Sequence, residues 1–174
     1  YMGGAVPGTV NVPAGKAFAK YAAWVIDPEE GSSDVILLGA TREQAHELRD
    51  RLLRIGVDNV TGFATGLGDL PTQAVPTVAP EDLQSLADPF ILDVRAASEY
   101  AQGHVPGAMN IHGGRLLWEL EGVPEDRPVV IYCQSGARSG VVGSALLAKG
   151  FDNLIELEGS YAGWQRRAGE PAAS

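Results

Sequence analysis

The chain's single cysteine, Cys133, stands in the run Tyr132-Cys133-Gln134-Ser135-Gly136-Ala137-Arg138-Ser139. Small residues dominate this run, so successive backbone N–H groups can turn inward on one point, and such a nest holds an anion. Val129–Tyr132 is a short, continuous apolar run, the pattern of a strand covered on both faces of a parallel sheet. After the loop, a helix is expected from about Ser139, with Val141, Val142, Ala145 and Leu146 on one face and Lys149 before Gly150 at its end. Ligands bind at such strand-to-helix junctions in open α/β sheets, and the helix start adds partial positive charge. A thiol at the centre ionises more readily, and Arg138 supplies a fixed cation that can grip an oxyanion through two donors. The expected chemistry is a nucleophilic thiolate at Cys133, cradled by Gln134, Ser135, Gly136, Ala137, Arg138 and Ser139. The alternative is a buried structural cysteine at a strand end. The coincidence of strand, loop, arginine and helix onset favours the reactive thiol.

The elements that must position this loop form an alternating α/β pattern that occurs twice. Gly4-Ala5-Val6-Pro7-Gly8-Thr9-Val10-Asn11-Val12 is echoed by Gly103-His104-Val105-Pro106-Gly107-Ala108-Met109-Asn110-Ile111. Asp34-Val35-Ile36-Leu37-Leu38, a helical stretch and Ile55-Gly56-Val57-Asp58-Asn59-Val60 are answered by Val129-Val130-Ile131-Tyr132, a helical stretch and Lys149-Gly150-Phe151-Asp152-Asn153-Leu154. Two copies of one unit are the simplest explanation. In the first copy, Thr41 and Gln44 read as a capping box ahead of apolar Ala45, Leu48, Leu52 and Ile55 at helical spacing, with a stop at Gly56. Residues 90–94 form another buried-strand run, and Pro80 is placed to open a short helix before it. Overlaid on the second copy, the first begins at the position of Tyr100 and lacks a counterpart of residues 77–99. The chain therefore reads as the downstream part of a longer protein. Gly66-Leu67-Gly68-Asp69-Leu70-Pro71, continuing to Pro76, carries too much Gly and Pro for a regular element and marks the boundary. The expected division is residues 1–70, a linker at 71–76, and residues 77–174.

Composition narrows the partners. At 174 residues, 45% hydrophobic and 20% charged, the chain has the make-up of one or two globular domains. Thirteen Lys+Arg against 22 Asp+Glu leave a net charge of −9, which repels a nucleic-acid backbone. No apolar run approaches the roughly 20 residues of a membrane helix, and the N-terminus lacks signal-peptide zones, so no membrane partner and a cytoplasmic setting are expected. Cys and His do not cluster at zinc spacing, so neither metal nor cofactor is expected within this chain.

The run Cys133-Gln134-Ser135-Gly136-Ala137-Arg138-Ser139 resembles the active-site loop of the rhodanese family of sulfurtransferases. Leu92-Asp93-Val94-Arg95 with Glu99-Tyr100, the Gly103–Ile111 stretch, and residues 159–164 add to the resemblance, which spans about residues 77–169. It implies that Cys133 takes a sulfane sulfur from a small sulfur-containing anion such as thiosulfate, or from a thiol persulfide. The cysteine then holds that sulfur as a persulfide and passes it to a nucleophilic acceptor. By the same resemblance, residues 134–139 form the cradle and Arg138 contacts the donor's anion. Related phosphatase-like enzymes carry one more residue between Cys and Arg, so the loop length disfavours a phosphatase or arsenate reductase.

The first copy resembles the same fold but has Gly39 at the position of Cys133 and Gln44 at that of Arg138, so it reads as noncatalytic. The expected fold class is thus α/β, two rhodanese-like domains, each a mainly parallel sheet flanked by helices, the first incomplete at its N-terminus. This arrangement resembles the C-terminal part of fusions in which a metallo-β-lactamase-fold persulfide dioxygenase precedes two rhodanese domains. A fused or separate dioxygenase is therefore a candidate partner, and a carrier module with no turnover of its own is the alternative function. The shortened first copy leaves a sheet edge free, which makes a homodimer a candidate assembly. Asp93 and Arg95 read as a structural pair and His104 as a turn residue. Trp24 and Trp118 read as core or interface residues, and Trp164 as packing or a pocket wall.

Overall fold

The computed structural model describes residues 5–26 and 34–168. Tyr1, Gly4 at the head of the first turn motif, and Gly169 lie outside the described residues. In chain order the elements are α1 (Phe18–Val25), β1 (Val35–Leu38), α2 (Arg42–Leu53), β2 (Val60–Ala64), β3 (Thr77–Val78), β4 (Phe90–Asp93), α3 (Ala97–Ala101), β5 (Met109–Asn110), α4 (Gly113–Leu116), β6 (Val129–Tyr132), α5 (Ala137–Ala148), β7 (Leu154–Leu157) and α6 (Ser160–Ala168). Strands β1 and β2 make a parallel pair, and the rest form a five-stranded parallel sheet in the order β3-β7-β6-β4-β5. The chain is thus an α/β fold whose central parallel sheet is flanked by helices.

The apolar run of β6 places it centrally, between β4 and β7. Its side chains alternate between two cores. Val129, Ile131 and Cys133 join Leu92, Val94 and Leu154 beneath Val141, Val142, Ala145 and Leu146 of α5. Val130 and Tyr132 face the other way, with Val78, Leu157, Leu83, Val105, Ala108 and Tyr161. The first region keeps a core of its own in Phe18, Ala22, Ala40, Ala45, Leu48, Leu52 and Val57.

Helix α1 serves both halves. Phe18 and Ala22, four apart on one stripe, enter the first core, whereas Trp24 turns into the core beneath α5 with Tyr21 and Val25 packed beside it. Trp24 lies flat enough on α4 that a Cβ at Gly114 would stand 2.7 Å from its indole nitrogen, so a glycine is required there. The Asn11 amide also donates to Ser144 Oγ at 2.8 Å. Trp24 is therefore an interface residue, as the sequence suggests, while Trp118 is 52% exposed and lies outside the described cores.

Two further expectations shift. Helix α5 begins at Ala137, before Ser139, because Gly136 adopts φ +99 as its N-cap and turns the chain directly into the helix. The segment after Pro80 forms only a 3₁₀ turn, Leu83–Ser85. Only Leu83 and Leu86 reach the core from it, the spacing of a single tight turn. In the first region the capping box is present: Thr41 Oγ1 accepts from the Gln44 amide and Gln44 Oε1 from the Thr41 amide. The stretch of residues 65–76 forms no regular element beyond one antiparallel bridge, Ala5 to Gln73.

Candidate active site around Cys133

Strand β6 delivers Cys133 to the carboxyl edge of the sheet, where its side chain is 1% exposed. The loop that follows wraps back over the sulfur. The Gly136 amide donates to Sγ at 3.2 Å, and the Ser139 hydroxyl lies 3.7 Å from Sγ and 3.1 Å from the Gly136 carbonyl. Burial pushes the Cys133 thiol up, but the amides of Ser139, Ser135 and Gly136 and the Ser139 hydroxyl together outweigh it and hold the thiol below its ordinary range. Thiolate character thus comes from directed N–H groups.

The loop is pinned from behind by α6. The Tyr161 amide donates to the Cys133 carbonyl at 3.0 Å and the Ala162 amide to the Gln134 carbonyl at 3.1 Å. This docking needs a sharp entry into α6, which Gly159 at φ +65 and Ser160 at φ +54 provide; the serine is one of the few non-glycine residues held in the left-handed region. Gln134 is fixed at its other end by Arg95 Nη1, 3.2 Å from Oε1.

Arg95 is itself 2% exposed and locked by Asp93, whose carboxylate receives Nε at 3.0 Å and Nη2 at 2.7 Å. Its Nη2 also donates to the Gly103 carbonyl, and its guanidinium lies 4.0 Å from the Tyr161 ring centre. Asp93 and Arg95 therefore form a structural pair under the loop. His104 stacks on Tyr100 at 3.7 Å in the turn, and Trp164 stacks on Tyr161 and packs against the core that contains Val130 and Tyr132.

Arg138 sits in the first turn of α5 and is held by Glu99 of α3 through two parallel bonds, Nη1 to Oε2 at 2.5 Å and Nη2 to Oε1 at 2.7 Å. The arginine holds the Glu99 carboxyl down to about 2, and the pairing raises the arginine in turn. Of the residues expected in the cradle, Ser135, Gly136 and Ser139 direct groups at the sulfur. Gln134 braces against Arg95, Ala137 opens α5 with its side chain exposed, and Arg138 pairs with Glu99.

Sequence reasoning missed two participants. Glu99 is quoted in the resemblance, but its partner lies 39 residues away and no local spacing reveals it. Helix α1 also approaches: Trp24 meets the His112 ring edge-on at 5.1 Å, and His112 caps α4 by accepting from the Gly114 amide. Burial first, then the charges of Lys20 and Arg138, hold His112 below its ordinary range. Among the described residues, no helix is long and apolar enough to cross a membrane.

The family model described as Rhodanese-like domain matches residues 79–167. A sulfurtransferase of Allochromatium vinosum is 34% identical over 84 residues, 48% of this chain and 78% of that protein. The thiosulfate sulfurtransferase GlpE of Shewanella oneidensis is 31% identical over 74 residues, 42% of this chain and 73% of that protein. Among solved structures, the human single-domain sulfurtransferase TSTD1 shares 29% identity at a TM-score of 0.45, covering 54% of this chain and 98% of that one.

Proposed function

Because this chain belongs to the rhodanese-like domain family, we propose that it is a sulfurtransferase in which Cys133 carries a sulfane sulfur as a persulfide. The observation that carries this reading is the convergence of the Ser135, Gly136 and Ser139 amides on a buried sulfur. A sulfur so held has more thiolate character than a free cysteine and is the better nucleophile for it, and the same donors can steady the outer sulfur once it is attached.

The reaction has two displacements. The Cys133 thiolate attacks the outer sulfur of the donor, forming a new S–S bond. The donor's own bond to that sulfur breaks, and its electron pair leaves on sulfite from thiosulfate, or on a thiolate from a thiol persulfide. An acceptor nucleophile such as cyanide or a thiol then attacks the outer sulfur of the Cys133 persulfide, and the Cys133 thiolate is released with the pair it first donated. Arg138 has N–H groups beyond the two used on Glu99 and contacts the donor's anionic group with them. Arg95, Asp93 and the α6 entry act through the loop as positioning residues.

The first region, residues 1–70, belongs to this account as a noncatalytic copy, joined by a linker at 71–76 to the catalytic residues 77–174. A persulfide dioxygenase, fused upstream or separate, is a partner of fitting chemistry, since a tether raises the local concentration of the carrier. The lone thiol suits a reducing, cytoplasmic setting. The test is thiocyanate formation from cyanide, with thiosulfate or glutathione persulfide as donor. Turnover with either donor, lost in Cys133→Ala, is expected. Absence of thiocyanate alongside hydrolysis of a phosphate ester would overturn the proposal.

A further inference from the structure

We propose that Glu99 sets the donor preference of the Cys133 site by cancelling the charge of Arg138, so that the cradle favours thiol persulfides over the thiosulfate dianion. The inference rests on the sulfur-transfer reading above and narrows its substrate.

The two arginines beside the loop are each matched by a carboxylate. Arg138 is engaged by both oxygens of Glu99, and Arg95 by both oxygens of Asp93. The Arg138 and Glu99 side chains are 18% and 33% exposed, so the pair is only partly screened by solvent. His112 is held toward its neutral form by burial, and Lys20 is exposed on α1, 5.8 Å from the Trp24 ring centre. What remains for an incoming anion is the start of α5, the loop amides that already serve the thiolate, and the Arg138 N–H groups not used on Glu99, on a guanidinium whose charge is balanced.

A thiosulfate dianion entering this site meets the Cys133 thiolate and an Arg138 whose positive charge the Glu99 carboxylate already balances, although its remaining N–H groups still donate. The like charge of the thiolate opposes a dianion, and an arginine balanced by Glu99 offsets that repulsion less than a free one does. A thiol persulfide brings at most one negative charge to its transferable sulfur and meets less opposition. Glu99 is thus a positioning residue with an electrostatic consequence: it fixes the Arg138 side chain and removes its net charge in the same contact.

The test uses sulfate, a dianion with no sulfur to give, and methanesulfonate, a monoanion with a similar head. Each is titrated for protection of Cys133 against iodoacetamide in the wild type, Glu99→Gln and Glu99→Asp. In the wild type, sulfate should protect no better than methanesulfonate. In Glu99→Gln, which keeps an oxygen for Arg138 but drops the charge, sulfate should bind about tenfold tighter. In parallel, the ratio of kcat/KM for thiosulfate over glutathione persulfide should rise by about tenfold, through KM rather than kcat. Glu99→Asp should keep the wild-type preference. The proposal is overturned if the wild type already prefers sulfate about tenfold, a result independent of whether any variant folds. It is equally overturned if Glu99→Gln changes neither sulfate affinity nor the donor ratio, or if Glu99→Asp shifts both as Gln does. Sulfate protection is read without turnover, so a wild type that transfers sulfur from neither donor defeats the sulfurtransferase reading while charge cancellation is judged on sulfate alone.

Discussion

The β1–α2 and β6–α5 junctions have the same plan, a parallel strand running into a twelve-residue helix, and they spend their backbone N–H groups in opposite ways. At the first, the Gly39 and Ala40 amides donate to the Ala64 carbonyl at 2.8 and 3.2 Å, and Thr41 and Gln44 satisfy each other's amides through their side chains. The helix start is closed by the protein itself. At the second, the N-cap is Gly136, which has no side chain to offer, and the amides of Ser135, Gly136 and Ser139 turn to the sulfur. A capping box stabilises a helix by roughly 1 kcal/mol but leaves nothing for a ligand. The candidate site thus depends on an uncapped helix start as much as on the cysteine.

The contrast extends to the sheets. The outer faces of β6 and β7 are covered, with Val130, Tyr132 and Leu157 buried. The corresponding face of β1 and β2 leaves Ile36 59%, Leu38 37% and Phe63 36% exposed. Position 62 of β2 is a glycine; its counterpart in β7 is Glu156, which is 3% exposed, and its Oε1 is without a hydrogen-bond partner.

The comparison can be broken most severely at the cysteine. Cys133→Ala should lower thiocyanate formation by at least about a thousandfold, the scale of losing a covalent nucleophile. Adding Gly39→Cys to that variant should recover none of it, because the amides at that junction are already engaged. Recovery would show that any strand-end cysteine suffices.

Next comes the contact that joins the halves. Trp24→Ala should cost about 3 kcal/mol in urea unfolding, since the ring is 8% exposed and fills the space over Gly113 and Gly114. A loss below about 1 kcal/mol would mean that the two regions are stable independently.

Glu156 gives a pH signature that Gly62 cannot. Burial raises the Glu156 carboxyl from its ordinary 4.5 to about 7. Below pH 4.5 it is neutral in both folded and unfolded chains. As pH rises from 4.5 to 7 the unfolded chain ionises first, so the contribution of this group to stability falls and then levels off. Glu156→Gln should therefore be more stable than wild type at pH 8 by about 3 kcal/mol and match it at pH 4. Thermal melts at the two pH values check this, and an equal difference at both would contradict it.

A smaller effect sharpens the role of the uncapped helix. Gly136→Ala has free space for its methyl group but must hold φ +99, at a cost of about 1 kcal/mol. Because strain there turns the amides from the sulfur, the pH midpoint of Cys133 alkylation should move up. An unchanged midpoint would show that Gly136 is needed only for the turn.

What the sequence discloses follows from the range of the interactions. The β6 run, the small-residue loop and α5 are contiguous, and the Thr41–Gln44 box spans four residues, so both are legible. Asp93, at the end of β4, and Arg95 just beyond it are read as a structural pair through the family resemblance. Glu99 and Arg138 meet only because α3 and α5 converge beside the sheet, which no spacing encodes. Helix α1 escapes notice because its apolar residues divide between two cores, so eight residues show two partial stripes in place of one. Trp118 shows the opposite limit, since a large aromatic in a short linking turn carries no periodicity to say whether it is buried.

The most direct test of the account is intact-protein mass spectrometry after incubation with thiosulfate or glutathione persulfide, on wild type and Cys133→Ser. The account predicts the gain of one sulfur atom on the wild type, removable by cyanide and missing from the serine variant. No gain from either donor, or the same gain on Cys133→Ser, would contradict it.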